Sequence, residues 1–371
     1  MKVNKDDLLK NVKIADSIVN NKNTGTILSN CLFSVENNVL KICSTNNEIS
    51  IKTQIDCISD VNESFLIDGK KLSGIISAMP KGEIELFSDK KNIIRIKHEN
   101  VKGKYKLVSI EPDEFPVIQD FNNENSIEIE KSVLKNMIRK IQHAAALDVI
   151  KPVFNGIYFT QNADVITAVA TDSRRLSIIK EKIDSETKIE NGFIVPLKTI
   201  NEMLKVLDSD GLCNISIVGN QFFFKSDNIE IVSRIVDGQY PNYKSIIPKE
   251  YTNKVIIEKE KLLNSIKRAM AITREPSFKI ILHFEKNNLK INVATPEIGE
   301  SEEYIEIQSE SDSNITIGLN GQFLVGSIKD IESKFLKIGI TGEMTPLCIM
   351  EKDNNNYMSI IMPIQIKQRD V

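Results

Sequence analysis

The sequence predicts an α+β protein of three repeated domains, each with two helices packed on antiparallel sheet, and three observations carry that reading. A strand, an Asn-rich turn and a second strand ending in Thr recur at residues 33–45, 159–171 and 284–295, a spacing of about 125 residues that suits a domain and not a solenoid unit. The same amphipathic helix precedes each copy, and the same short strand and second helix follow it. The length of 371 residues, at ~100–200 per domain, leaves room for two to four domains.

In chain order, the first helix of each repeat shows a doubled apolar position and another one turn on: Leu8 and Leu9 with Val12, Val133 and Leu134 with Met137, Leu262 and Leu263 with Ile266. That i, i+1, i+4 spacing gives one buried helical face. The strand pair comes next. A short strand then leads into a second helix at residues 65–79, 193–207 and 315–328. Alternating strands follow, with Ile84 and Leu86, Ile215 and Ile217, Phe222 and Phe224, and Ile229 and Ile231 on buried faces. Two helices over one sheet bury one sheet face and the apolar stripe of each helix. Polar, turn-prone stretches at 122–125 and 250–253 set the borders, giving domains 1–122, 123–251 and 252–371.

Hydrophobic residues make up 41% of the chain and charged residues 27%, the balance of a soluble globular protein. With 48 basic against 51 acidic residues the net charge is -3, which excludes a polycation that coats nucleic acid or anionic lipid; any nucleic-acid contact must be local. The five cysteines, Cys31, Cys43, Cys57, Cys213 and Cys348, form no CxxC pair, so disulfides and zinc are disfavoured. Charges at Lys2, Lys5, Asp6 and Asp7 stand where a signal peptide needs an apolar stretch, and no run approaches the ~18 apolar residues of a membrane span. The cytoplasm is the expected location.

Catalytic parts are scarce. His98, His143 and His283 belong to no HExxH, and GxSxG, Walker and GxGxxG loops are missing, so neither an active site nor a cofactor is expected. The run from Asp208 to Gly211 lacks the Gly spacing of a calcium loop and has Gly219 where that loop needs Glu. His143, beside the apolar stripe of its helix, reads as a structural histidine.

Charge placement is more informative. The first helices carry Lys10 and Lys13, then Lys131, Lys135, Arg139 and Lys140, then Lys261, Lys267 and Arg268; the second carry Lys70, Lys71, Lys198 and Lys205. One such face is an ordinary solvated surface, but matching faces in three repeats would add, around a symmetric assembly, into one surface that neutralises phosphates without reading bases. Lys102, Lys104 and Lys106 around Tyr105 make a basic strand-like segment, whereas Glu297, Glu300, Glu302, Glu303 and Glu306 make an acidic one in the third repeat. Opposite charges at opposite ends suit head-to-tail self-association, with Lys102, Lys104, Tyr105, Glu297, Glu300 and Glu303 at the contact.

The chain resembles the bacterial sliding clamps, the beta subunit of DNA polymerase III. The residues that carry the resemblance are Phe154-Asn-Gly-Ile-Tyr-Phe159, Ala170-Thr-Asp-Ser-Arg-Arg-Leu176, Ile194-Val-Pro-Leu-Lys198, Val236-Asp-Gly-Gln-Tyr-Pro-Asn-Tyr243 and Ile361-Met-Pro-Ile364, and it covers essentially the whole chain. It implies a head-to-tail homodimer, a six-domain ring with helices lining the hole, that encircles duplex DNA and serves as a non-catalytic processivity factor. The implied partners are double-stranded DNA, the polymerase III alpha subunit, the clamp loader and other proteins with a clamp-binding motif. Lys22 and Lys151, in equivalent loops after the first helices, together with Arg139 and Lys198, are the implied DNA contacts.

The resemblance also implies a peptide cleft. It would be formed by Phe154, Thr171, Ser173, Arg174, Arg175, Leu176, Pro241 and Ile246 of the second domain and Met344, Pro346, Ile360, Met362, Pro363 and Ile364 of the third. Adaptable Met and Ile walls would receive an apolar anchor, and Thr171 with the arginines would orient the polar groups of the peptide. The chain departs from the family pattern in three places. Ser173 and Arg174 stand where a small residue or Ser is commonly followed by His, so Arg174 adds a fixed charge at the cleft mouth. Gln365 replaces a frequent Arg, and residues 367–371 form a tail expected to modulate peptide entry. The alternative from another class is a peptide-docking adaptor of the same fold that does not encircle DNA.

Overall fold

A computed structural model describes residues 1–19, 27–89, 92–121, 126–148, 150–184, 187, 189, 191–208, 210–296, 298–311 and 314–366. The first repeat runs β1 (Lys2–Asn4), α1 (Lys5–Asp16), β2 (Cys31–Glu36), β3 (Val39–Thr45), β4 (Ile49–Asp56), β5 (Glu63–Ile67), α2 (Gly69–Ser77), β6 (Glu83–Asp89), β7 (Ile93–His98) and β8 (Val101–Val108). The second runs β9 (Ser126–Glu130), α3 (Lys131–Ile141), β10 (Gly156–Asn162), β11 (Val165–Thr171), β12 (Arg175–Lys182), β13 (Phe193–Pro196), α4 (Leu197–Val206), β14 (Leu212–Val218), β15 (Gln221–Ser226) and β16 (Ile229–Arg234). The third runs β17 (Asn253–Glu258), α5 (Lys259–Met270), β18 (Lys279–Phe284), β19 (Asn288–Thr295), β20 (Gly299–Glu306), β21 (Gln308–Ser309), β22 (Ile315–Asn320), α6 (Gly321–Lys329), β23 (Phe335–Ile340), β24 (Leu347–Glu351) and β25 (Tyr357–Ile361).

Short polar side chains start several of these helices. Asn4 Oδ1 accepts from the N–H groups of Asp6 and Asp7 at 2.9 and 3.3 Å, and Leu8, Val12 and Ala15 then form the buried face of α1. Asp68 caps α2 through the Lys71 N–H at 2.9 Å, and Asn320 caps α6 through Gln322 and Phe323 at 2.9 and 3.2 Å. The doubled apolar positions face inward as expected: Leu262, Leu263 and Ile266 are all buried on α5.

Backbone packing gathers the chain into two compact units. One comprises Met1–Ser132, Ser185–Thr187 and Asn201–Ile235. It holds a four-stranded sheet ordered β1-β6-β7-β8 and an eight-stranded sheet ordered β5-β2-β3-β4-β16-β15-β14-β9, with every pairing antiparallel. Its core packs Leu8, Val12, Leu72 and Ile76 of α1 and α2 against Phe33, Phe65, Ile84 and Ile96 of the strands. β4 and β16, from different repeats, are laddered with Ile51 opposite Ile231. β8 is an open edge: Lys102, Lys104 and Lys106 are exposed, while Tyr105 and Leu107 turn inward onto the core.

The other unit comprises Val133–Asp184, Lys188–Ile200 and Val236–Val371. Its nine-stranded sheet is ordered β13-β10-β11-β12-β25-β24-β23-β17-β21, and its four-stranded sheet β20-β19-β18-β22, so β20 is an open edge. β12 and β25 again join different repeats, with Arg175 opposite Ile361 and Ile179 opposite Tyr357. Beside this ladder lies a polar interior. Ser177 Oγ meets His143 Nε2 at 3.2 Å and Ser359 Oγ at 2.9 Å, Ser359 meets Ser327 at 2.7 Å, and the Tyr357 hydroxyl donates to the Ser327 carbonyl at 2.9 Å.

Two lysines assigned to the basic helix faces prove to be interior. Lys140 Nζ lies 2.5 Å from Glu351 Oε1 with both side chains about 5% exposed, and Lys131, fully buried, bonds Asp227 at 2.6 Å. Each ammonium leaves solvent because a carboxylate on a neighbouring strand or turn replaces its hydration. Lys140→Met strands Glu351 as a buried unpaired anion and should cost ~3–5 kcal/mol of stability. K140M combined with Glu351→Leu should recover most of that loss, as read from urea-unfolding midpoints.

Candidate functional site

The cleft residues expected from the sequence all fall in the second unit, and several of them sit on the loop between β11 and β12. Asp172 builds that loop. Its Oδ1 accepts from the N–H groups of Arg174 and Arg175 at 2.9 and 3.0 Å, and its Oδ2 accepts from Arg175 Nε at 3.0 Å. The Thr171 hydroxyl donates to the Arg175 carbonyl at 2.6 Å and accepts from the Ser173 N–H at 3.1 Å. Thr171, expected to orient a peptide, is thus buried and engaged in holding the loop that presents Ser173 and Arg174. Ser173 sits at φ +74°, a left-handed conformation that this hydrogen bonding sustains.

Arg175 is held from two sides. Its Nε is tied to Asp172, and its guanidinium carbon lies 4.2 Å from the centroid of the Phe323 ring, a cation–π stack at the start of α6. Burial lowers its pKa from the ordinary arginine value, and Asp172 opposes that shift. Arg174 is exposed, while its carbonyl accepts from the Met362 N–H at 2.9 Å and so fixes where the chain goes after β25. Ile364 then donates its N–H to the Gly318 carbonyl at 2.7 Å. A Cβ on Gly318 would stand 2.6 Å from the Ile364 carbonyl oxygen, so only glycine allows this approach.

The walls and floor differ sharply in exposure. Met344, Met362 and Ile246 are 66%, 42% and 44% exposed, and Pro241 is exposed as well. Phe154, Pro346, Pro363 and Ile364 are half-buried. Leu176 and Ile360, opposite each other across the β12–β25 ladder, are each 1% exposed and belong to a cluster with Val169, Ile178, Tyr240 and Cys348. They are floor, not wall. Tyr240 stacks on Tyr158 at 4.5 Å within that floor. The sequence reading missed Asp172, Gly318, Phe323 and the tyrosine pair. Asp172 carried a local signal, an Asp three residues before the next strand starts at Arg175, whereas nothing near Phe323 in sequence points to Arg175.

Lys151 is exposed, with Nζ 5.6 Å from the Phe154 ring centroid, and Lys198 is exposed on the first turn of α4. Arg139 is exposed but already meets Asp330 at 3.4 Å. Lys102, Lys104 and Glu300 are exposed on edge strands, and Tyr105 faces inward. Glu303 faces α5, where Arg268 Nη2 lies 2.5 Å from Oε2 and holds its carboxyl below the usual range. Lys22, Glu297 and the tail 367–371 lie outside the described residues.

Residues 1–119, 128–242 and 244–365 match the N-terminal, central and C-terminal domains of the DNA polymerase III beta subunit. The chain belongs to that family, the DNA sliding clamps. The beta sliding clamp of Halalkalibacterium halodurans is 26% identical over 383 residues, 98% of each chain. The solved DNA polymerase III beta subunit of Thermotoga maritima is 25% identical, with a TM-score of 0.90 over 99% of both chains. That of Pseudomonas aeruginosa, at 21% identity, shares the fold with a TM-score of 0.93 over 99% of this chain and 100% of its own.

Gly318→Ala should displace the 362–366 segment and raise its cleavage by a nonspecific protease several-fold, with stability lowered by ~1–3 kcal/mol. A second expectation concerns pH. Burial, then Arg175 and Lys329, push His143 from 6.5 to about 3, so the folded chain keeps it neutral while the unfolded chain protonates it near 6.5. As pH falls from 6.5 toward 3 the unfolded state takes up a proton that the folded state refuses, and stability drops. His143→Asn should flatten the fall in urea midpoint between pH 7 and 4.5 relative to the parent.

Proposed function

We propose that two copies of the chain pair head to tail, β8 of one with β20 of the other, close into a ring around duplex DNA and slide without sequence preference while holding partner peptides in the cleft. The three clamp domains would be 1–122, 123–251 and 252–371. The observation that carries the reading is the match of the whole chain to the sliding-clamp family, supported by exposed Met344, Met362 and Ile246 in the same unit as the buried Leu176–Ile360 pair. Exposed thioether and isoleucine side chains in one unit suit an apolar peptide anchor, because methionine adapts its shape to what it receives. The proposed ligands are short segments of the polymerase III alpha subunit, the clamp loader and other clamp-binding proteins.

For DNA, Lys151, Lys198 and Lys22 would supply positive charge that neutralises phosphates at any register along the duplex. Arg139 contributes only when a phosphate displaces Asp330, so it adds less than an unpaired arginine. No covalent chemistry is needed: encirclement replaces affinity, and the subunit acts in the cytoplasm as a non-catalytic part of the polymerase. Basic β8 and acidic β20 are both open edges, which supports pairing of one with the other by strand addition.

Retention on nicked circular DNA tests encirclement. Labelled protein, loaded by its cognate clamp loader and washed at a salt concentration that strips simple electrostatic binders, should stay on the circle and leave after one restriction cut. Equal retention before and after cutting would mean ordinary binding. Loading on neither form, with the loader active on another clamp, would favour the non-encircling adaptor. In the cleft, Met362→Asp should weaken a fluorescent clamp-binding peptide at least tenfold by removing an apolar wall and placing a charge there, ~1.4 kcal/mol or more. Unfolding midpoints should remain near the parent value, since Met362 is exposed.

A further inference from the structure

Side chains of β20 alternate between two faces of its sheet. Glu300, Glu302, Tyr304 and Glu306 are exposed on the outer face, whereas Glu303 and Ile305 turn toward the interior. The two central carboxylates are already occupied by the chain's own donors. Lys290 Nζ, on neighbouring β19, lies 2.6 Å from Glu302 Oε2, and the Tyr304 hydroxyl donates to Glu302 Oε1 at 2.5 Å. Lys290 stands directly opposite Tyr304 in the ladder, 5.8 Å from its ring centroid, so the three side chains form one closed group. Glu303 is taken by Arg268 on the other face. Glu300 and Glu306 differ: among the described residues neither has an ion pair or a side-chain hydrogen bond, and the same is true of Lys102, Lys104 and Lys106 on β8.

A carboxylate with both oxygens bonded gains little from a further cation, because the newcomer must either share a neutralised charge or displace Lys290. We propose that Lys290 and Tyr304 act as an internal competitor that withholds Glu302 from the contact between copies. Glu300 and Glu306 then carry the electrostatic part of that contact, and the competitor keeps the joint weak enough to part. The inference rests on the pairing of β8 with β20 proposed above. It deepens that reading by naming which acidic residues meet the basic strand and which residues restrain a third.

The test is the dimer dissociation constant of the full chain, measured by sedimentation equilibrium at one low salt concentration for the parent and for K104E, E300Q, E302Q, K290M and Y304F. E300Q should weaken the dimer about threefold to tenfold, and E302Q less than about twofold. K290M and Y304F should each tighten it about threefold or more, since each releases one of the two Glu302 oxygens. E302Q weakening the dimer as much as E300Q, or K290M and Y304F leaving it unchanged or weaker, overturns the competitor. Tightening by K290M without any by Y304F assigns the effect to bulk charge and also overturns it. A parent that stays monomeric, or a dimer indifferent to K104E, removes the edge pairing itself and this inference with it.

Discussion

Buried backbone N–H and C=O groups must find partners, and β12 meets that demand by laddering to β25 of the next repeat, from Arg175 opposite Ile361 to Ile179 opposite Tyr357. This ladder places several of the residues named for the cleft. It sets Leu176 against Ile360 as a shared floor, it brings the Arg174 carbonyl to the Met362 N–H, and it launches the segment that Gly318 receives at Ile364. Ser177 and Ser359, also opposite each other, open the hydroxyl chain that reaches His143 and Ser327. A slip of one residue would move Leu176 and Ile360 to the other sheet face and leave these hydroxyls among apolar side chains.

Charges in this chain divide by how deeply the fold buries them. Lys131 and Lys140 are interior cations matched to single carboxylates, and they stabilise packing without presenting charge to solvent. Lys151 and Lys198 keep their ammonium groups exposed. The edge strands follow the same division. An exposed edge invites pairing with another chain, and here the side chains beside it are charged, which restricts the invitation to an edge of opposite sign. Within the chain, Arg268 and Lys290 pair with Glu303 and Glu302.

Much of the architecture was legible because local rules decide it. Leu8, Leu9 and Val12 with their counterparts define helix faces, and the three strand–turn–strand copies define the repeat. The sheets themselves were not legible. Nothing in the periodicity of β4 or β16 says that they pair with each other, since an alternating strand fits any partner that offers the same pleat and a free edge.

What the sequence alone determined is the composition of each site: which residues are apolar, which charged, and at what spacing along helix or strand. The resemblance to the sliding clamps implied Thr171, Arg175, Met362 and Pro363 as cleft residues, and charge placement alone singled out Lys102 and Glu300. The tertiary structure decided their roles. It turned the Thr171 hydroxyl into a loop brace, sank Leu176 and Ile360 to the floor, set Phe323 under Arg175 and buried Lys140 on Glu351. Residue type fixes what a side chain can bond, but the partner it bonds is set by strand register and helix packing between segments far apart in the chain, and no local pattern encodes that choice.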